Sequence, residues 1–246
     1  MSLADLLGVK PGLTALIGSG GKTRLMYALA EELKGRGAVL VTTSTKILVP
    51  EHLPVADPTT PEALAGLLKE ASSLCLGSPW PPTDAGEPLP VSGRLISAPT
   101  ASQEPVRKLA APSLPFGALA KAADFVFVEA DGSRGLPAKA HAAHEPVIPA
   151  EAGTVILVFG ADAFGRPISE VCHRPALYAE RAGATPETLL TPALAAVVLR
   201  AEGYGNIIYV NKCESPADWD NAAALSSLLP IPVVAGSLRD GSYKRM

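Results

Sequence analysis

Residues 13–34 read LTALIGSGGKTRLMYALAEELK, and the fold turns on how this stretch divides. The apolar run Leu13 to Ile17 ends at glycines. From Lys22 to Lys34, Leu25, Met26, Leu29 and Leu33 recur at helical spacing. The pattern predicts strand, glycine-rich loop, helix. Gly35 and Gly37 stop the helix, and Ala38 to Thr43 (AVLVTT) follows as the continuous, β-branched run expected of a strand buried on both faces. Two parallel strands around a helix are the expected nucleus of the fold.

Further elements extend the pattern. Thr60 to Ala71 has a capping Thr, a Pro at the first helical position and Leu64, Leu67 and Leu68 on one face, which predicts a surface helix. Ser73 to Leu76 reads as a short strand. Phe125 to Val128, Val155 to Phe159, Ile207 to Val210 and Val233 to Ala235 are apolar runs, most closed by polar turns. Pro186 to Ala201 and Pro216 to Leu229 are the intervening helices. Residues 77–115 are rich in Pro, Gly, Ser and Thr, with Val91 to Ile96 as the one strand candidate, and read as an irregular excursion. The expectation is one nucleotide-binding α/β domain over residues 1–246. Its predicted architecture is three-layer α/β/α, with a mainly parallel, P-loop NTPase-like sheet.

Composition narrows the function classes. The 246 residues are 48% hydrophobic, with a mean hydropathy of +0.24, enough for a full core. With 21 basic and 24 acidic residues the net charge of −3 argues against nucleic acid or an anionic membrane as partner. The start lacks a basic and then apolar leader, and no run reaches the roughly 18 apolar residues of a membrane span. Cys75, Cys172 and Cys213 are too scattered for a disulfide framework. A cytoplasmic protein is expected.

The chemistry is carried first by Gly18, Ser19, Gly20, Gly21, Lys22 and Thr23. Between a buried strand and a helix, such a loop can surround a phosphate with backbone amides and the helix N-terminus. Lys22 is placed to reach the β- and γ-phosphates of ATP or GTP, and the Thr23 hydroxyl to ligate Mg²⁺. Position 16, where the usual loop has its first Gly, is Leu, so this loop is short and resembles the G-T-x-G-K-T type of Mur ligases. A dehydrogenase is excluded: only half of G-x-G-x-x-G is present, and no acid ends the second strand to hold a ribose.

Other candidates gather at strand ends. Glu129 and Asp131 follow Phe125 to Val128, and alternation puts them on one side, where they can orient a nucleophile or hold Mg²⁺. Asp131 is taken as the metal-side acid with Thr23, and Lys22, Glu129 and Asp131 as the catalytic set. Thr42 to Lys46 (TTSTK) brings Thr43, Thr45 and Lys46 to the same edge, although Ser and Thr are also ordinary turn residues. Asn211 and Lys212, in Asn-Lys-Cys-Glu, resemble the N-K-x-D base-reading motif of GTPases with Glu214 in place of Asp. Arg134 and Lys139 offer cations to an anionic group. His141, His144, Cys172 and His173 are either metal ligands or hydrogen-bonded loop residues.

The run Glu129 to Pro149, EADGSRGLPAKAHAAHEPVIP, closely resembles the signature of the YqeC family, regarded as accessory proteins of selenium-dependent molybdenum hydroxylases. The resemblance extends to Gly18–Thr23, Thr42–Ile47, His173–Pro175 and Asn211–Lys212, in that family's order. It implies a P-loop NTPase-like fold and a role in making or inserting a selenium- or molybdenum-containing cofactor, with a molybdenum hydroxylase or its cofactor as partner. It implies no particular reaction. Three roles therefore stand: an NTP-hydrolysing or phosphoryl-transferring factor, a metal or cofactor carrier switched by nucleotide, and a nucleotide-sensing assembly module.

Overall fold

The computed structural model describes residues 1–80 and 108–246. Its strands are β1 (Gly12–Gly18), β2 (Val39–Thr43), β3 (Lys46–Leu48), β4 (Val55–Ala56), β5 (Ser73–Leu76), β6 (Ser78–Trp80), β7 (Lys108–Ala110), β8 (Phe125–Glu129), β9 (Ala138–Lys139), β10 (Ala152–Gly160), β11 (Cys172–His173), β12 (Ile207–Asn211), β13 (Val233–Ser237) and β14 (Ser242–Arg245). Its helices are α1 (Leu3–Leu6), α2 (Lys22–Leu33), α3 (Pro61–Glu70), α4 (Phe116–Ala122), α5 (Ile168–Val171), α6 (Pro175–Ala182), α7 (Pro192–Glu202) and α8 (Pro216–Ser227).

Among the described residues, nine strands form one sheet in the order β14-β13-β12-β10-β1-β8-β2-β5-β4. Every pairing in it is parallel except that of β13 with β14. β1 lies at its centre, between β8 and β10. Alternation along β1 explains the layering: Leu16 packs into the core under α1 and α2, whereas Ala15 and Ile17 face the core under α5–α8. Leu13 joins Leu64, Leu67 and Leu119 of α3 and α4 on that same face. The result is a three-layer α/β/α, P-loop NTPase-like fold.

Local chemistry sets most boundaries. The Thr60 hydroxyl accepts from Ala63 N at 3.2 Å, so α3 starts where its cap predicts. The helix expected over Pro186–Ala201 begins instead at Pro192, with Thr191 as its cap. Residues 186–190 are drawn into loop pairing, because Ile168 N donates to Thr188 O (3.0 Å) and Leu190 N to Arg166 O (2.9 Å). α6 and the antiparallel β14 were not anticipated. Within the expected excursion, β6 and β7 are regular and pair with β3 in a separate antiparallel sheet. Val91–Ile96 lies outside the described residues. No helix among the described residues is long and apolar enough to cross a membrane.

Candidate functional site

β1 delivers its C-terminal Gly18 to the sheet edge, and the loop turns there into α2. Gly20 has φ +90°, and a Cβ on it would lie 2.3 Å from Gly160 N, so only glycine fits between the loop and the end of β10. At Gly21 a Cβ would meet Asn211 Nδ2 at 2.5 Å. The early amides of the loop turn inward: Gly18 N donates to Asp131 Oδ2 (2.8 Å), Ser19 N to Val158 O (2.8 Å) and Gly20 N to Leu136 O (3.2 Å). Free donors are therefore concentrated at the start of α2, where no side chain among the described residues caps the first turn. Of the loop amides read as able to surround a phosphate together with the helix N-terminus, those of Gly18, Ser19 and Gly20 are thus engaged within the protein. Ser19 is buried, and its hydroxyl has no hydrogen-bond partner among the described residues.

Lys22, 3% exposed, is folded back over the loop. Its Nζ donates to Gly18 O (2.7 Å), lies 2.9 Å from Asp131 Oδ1 and 3.8 Å from Glu129 Oε1, and reaches Ser133 Oγ at 3.4 Å. The two acids thus converge on one ammonium, as strand alternation anticipates. The Thr23 hydroxyl donates to Glu129 Oε2 at 2.6 Å. Glu129, not Asp131, is the acid beside Thr23, which differs from the pairing read from sequence.

Asp131 is fully buried and faces inward. Its Oδ2 accepts from Gly18 N, contacts His141 Nε2 at 2.7 Å and lies 3.3 Å from Lys139 Nζ. His141 Nδ1 in turn lies 2.5 Å from Glu202 Oε2, and Arg181 pairs with the same carboxylate. Burial opposes the charge on Asp131, but His141, Lys22, Lys139 and the Gly18 amide together hold its carboxyl well below the usual range. Burial likewise works against the His141 cation, and the hydrogen bonds to Asp131 and Glu202 outweigh it, raising His141. Glu129 is pushed up by burial, against the pull of Lys22 and Thr23.

The other candidates divide. Thr43 Oγ1 donates to Glu129 O (2.8 Å) and accepts from Thr45 N (2.9 Å), so this pair buttresses the acid-bearing strand end. Lys46 lies on β3 with its ammonium 3.5 Å from the centroid of the Trp80 ring. Asn211 Nδ2 donates to Gly20 O (2.8 Å), clamping the loop to β12. Lys212 pairs with Asp162 at 2.7 Å and Glu214 with Arg239 at 2.9 Å. Lys139 is buried, bonding Gly132 O (2.7 Å) and Glu145 (2.8 Å). Arg134 is exposed beside the site.

His141, His144, Cys172 and His173 are not assembled as ligands. His141 is engaged at both nitrogens, His144 is exposed, and burial pushes the Cys172 thiol up to about 12. Among the described residues no group of three or more His, Cys, Asp or Glu is placed to hold a metal ion. Sequence reading missed Glu202, Glu145 and Ser133. Glu202 ends a largely apolar helix just after Arg200, 61 residues from the histidine it holds, and an acid there is an ordinary solvated residue by pattern.

A glycine-rich loop between strand and helix at the C-terminal edge of a parallel sheet, with Lys, Thr and acids converging on it, gives the chain a P-loop NTPase-like fold. The profile of the YqeC family, described as YqeC protein, matches residues 14–176. The chain is 33% identical over 199 residues to the protein described as uncharacterized protein YqeC of Escherichia coli (strain K12), covering 79% of this chain and 70% of that one. The chain belongs to the YqeC family. No solved structure matches it.

Proposed function

We propose that the chain binds a nucleoside triphosphate, ATP or GTP, with Mg²⁺, and hydrolyses it or transfers its terminal phosphoryl group. On the family resemblance, that chemistry would serve maturation or insertion of a selenium- or molybdenum-containing cofactor of molybdenum hydroxylases. The observation that carries the nucleotide reading is the convergence of the uncapped α2 start, buried Lys22 and the Thr23–Glu129 pair on one point of the sheet edge.

Binding of the phosphates would exchange the contacts of Lys22 with Asp131 and Gly18 O for phosphate oxygens. Asp131 would then keep Gly18 N, His141 and Lys139, so its charge stays compensated after Lys22 leaves. Thr23 Oγ1 and Glu129 Oε2, 2.6 Å apart, are hard oxygen donors of the kind Mg²⁺ takes. When bound, the ion would neutralise charge on the phosphate oxygens. With Asp131 engaged, Glu129 is the acid left to orient an attacking group. Lys22 and the α2 amides would offset charge on the transferring phosphoryl group.

The test is nucleotide binding and turnover, with ATP and GTP, by wild type and Lys22→Ala. Removing one positioned donor of this kind lowers turnover about 100-fold or more. Wild-type protein that neither binds nor hydrolyses any nucleoside triphosphate would sink the reading.

A further inference from the structure

The segment after Asp131 is fastened against the phosphate loop. Gly20 N donates to Leu136 O (3.2 Å), Gly160 N to Pro137 O (2.9 Å), and Ser133 Oγ stands 3.4 Å from Lys22 Nζ. Arg134, the next residue, is held at φ 52°, a left-handed conformation that costs a non-glycine residue roughly 1 kcal/mol or more. It is exposed and enters no ion pair among the described residues.

Its cationic neighbours are differently placed. Lys139 is buried between Asp131 (3.3 Å) and Glu145 (2.8 Å), and Arg174 also leans on Glu145 (2.7 Å), so one carboxylate serves two cations. β9 and β11 set His173, half-buried, opposite Lys139. Burial first, then the charges of Arg174, Lys139 and Arg134, disfavour the protonated His173 ring against the lone opposing charge of Glu145. Among the described residues, neither Arg134 nor the His173 ring has a carboxylate partner of its own.

We infer that Arg134 and His173 form a second anion site adjoining the phosphate loop, which takes a carboxylate- or phosphate-bearing co-substrate. Guanidinium and imidazole groups suit such oxyanions by charge and by hydrogen-bond geometry. The co-substrate role rests on the nucleotide reading; the anion site does not. In the transfer, a lone pair on an acceptor oxygen forms the new bond to the terminal phosphorus. The bond from that phosphorus to the β–γ bridging oxygen breaks, and its electron pair leaves with the nucleoside diphosphate. An ionised acceptor gives up no proton, so no free general base is required.

The test is NMR of the full chain without nucleotide, titrated with malonate and separately with inorganic phosphate, the His173 ring signals being assigned with His173→Gln. Saturable movement of those signals is expected with at least one of the two probes, and which one responds separates a carboxylate from a phosphate ligand. Arg134→Asn, which tolerates the left-handed backbone, should weaken binding at least tenfold, and Arg134→Lys less. Unmoved His173 signals, equal affinity in Arg134→Asn, or phosphate shifting only the amides of Gly18–Thr23 would overturn the site. ATP binding on the same samples separates the two claims. Anion binding without ATP binding fails the nucleotide reading alone, and ATP binding with His173 silent fails this inference alone.

Discussion

Gly20 is the residue at which the loop tolerates least. A methyl group there sits 2.3 Å from Gly160 N on a backbone at φ +90°. Gly20→Ala should lose about 2–4 kcal/mol of stability, from strain and overpacking together, read as a drop in urea midpoint. Glu145 governs an acid-side effect. Burial resists its charge, but hydrogen bonds from Arg174 and Lys139 lower its carboxyl to about 2. Because the folded value lies below the unfolded one, near 4.3, its contribution is whole above about pH 4.3 and drains as pH falls toward 2. Glu145→Gln should flatten the stability profile across that window in pH-dependent denaturation. His141 carries the opposite sign, being raised: its contribution is whole below about pH 6.5 and is lost as pH rises through the folded value.

At the scale of elements, the chain Arg181–Glu202–His141–Asp131 ties the ends of α6 and α7 to the phosphate loop. Glu202→Ala leaves a buried imidazole and Arg181 without their carboxylate, and should cost about 3–5 kcal/mol in chemical denaturation. The elements were legible where a local signal had no rival: β1, α2, β2 and β8 follow from apolar runs ended by glycines or acids. The start of α7 was misplaced because the sequence carries two cap-plus-proline signatures, Thr185-Pro186 and Thr191-Pro192. Only tertiary pairing of residues 188 and 190 with the Arg166–Ile168 strand of backbone selects the second. The same limit applied to the site. Lys22, Thr23, Glu129 and Asp131 were visible from their places at strand and helix ends. The partner of each acid was not, since which carboxylate turns toward Thr23 depends on His141 and Lys139, brought in by a later loop.

Across the whole molecule, Cys75 lies in one core layer and Cys172 and Cys213 in the other, and burial pushes Cys75 and Cys172 to about 12 and Cys213 to about 11. A thiol is reactive as thiolate, so the native protein should show no fast reaction with a thiol reagent and three equivalents after unfolding in urea. The sheet's central strand feeds a loop closed by distant residues: Asp131 lies 113 positions after Gly18, and Asn211 lies 191 after Gly20. During synthesis at roughly 5–20 residues per second, Gly20 therefore waits about 10–40 s for the amide that secures its carbonyl. A nascent chain that has reached β2 can lay down β1 and α2, but the loop between them is clamped only once Asn211 has been made.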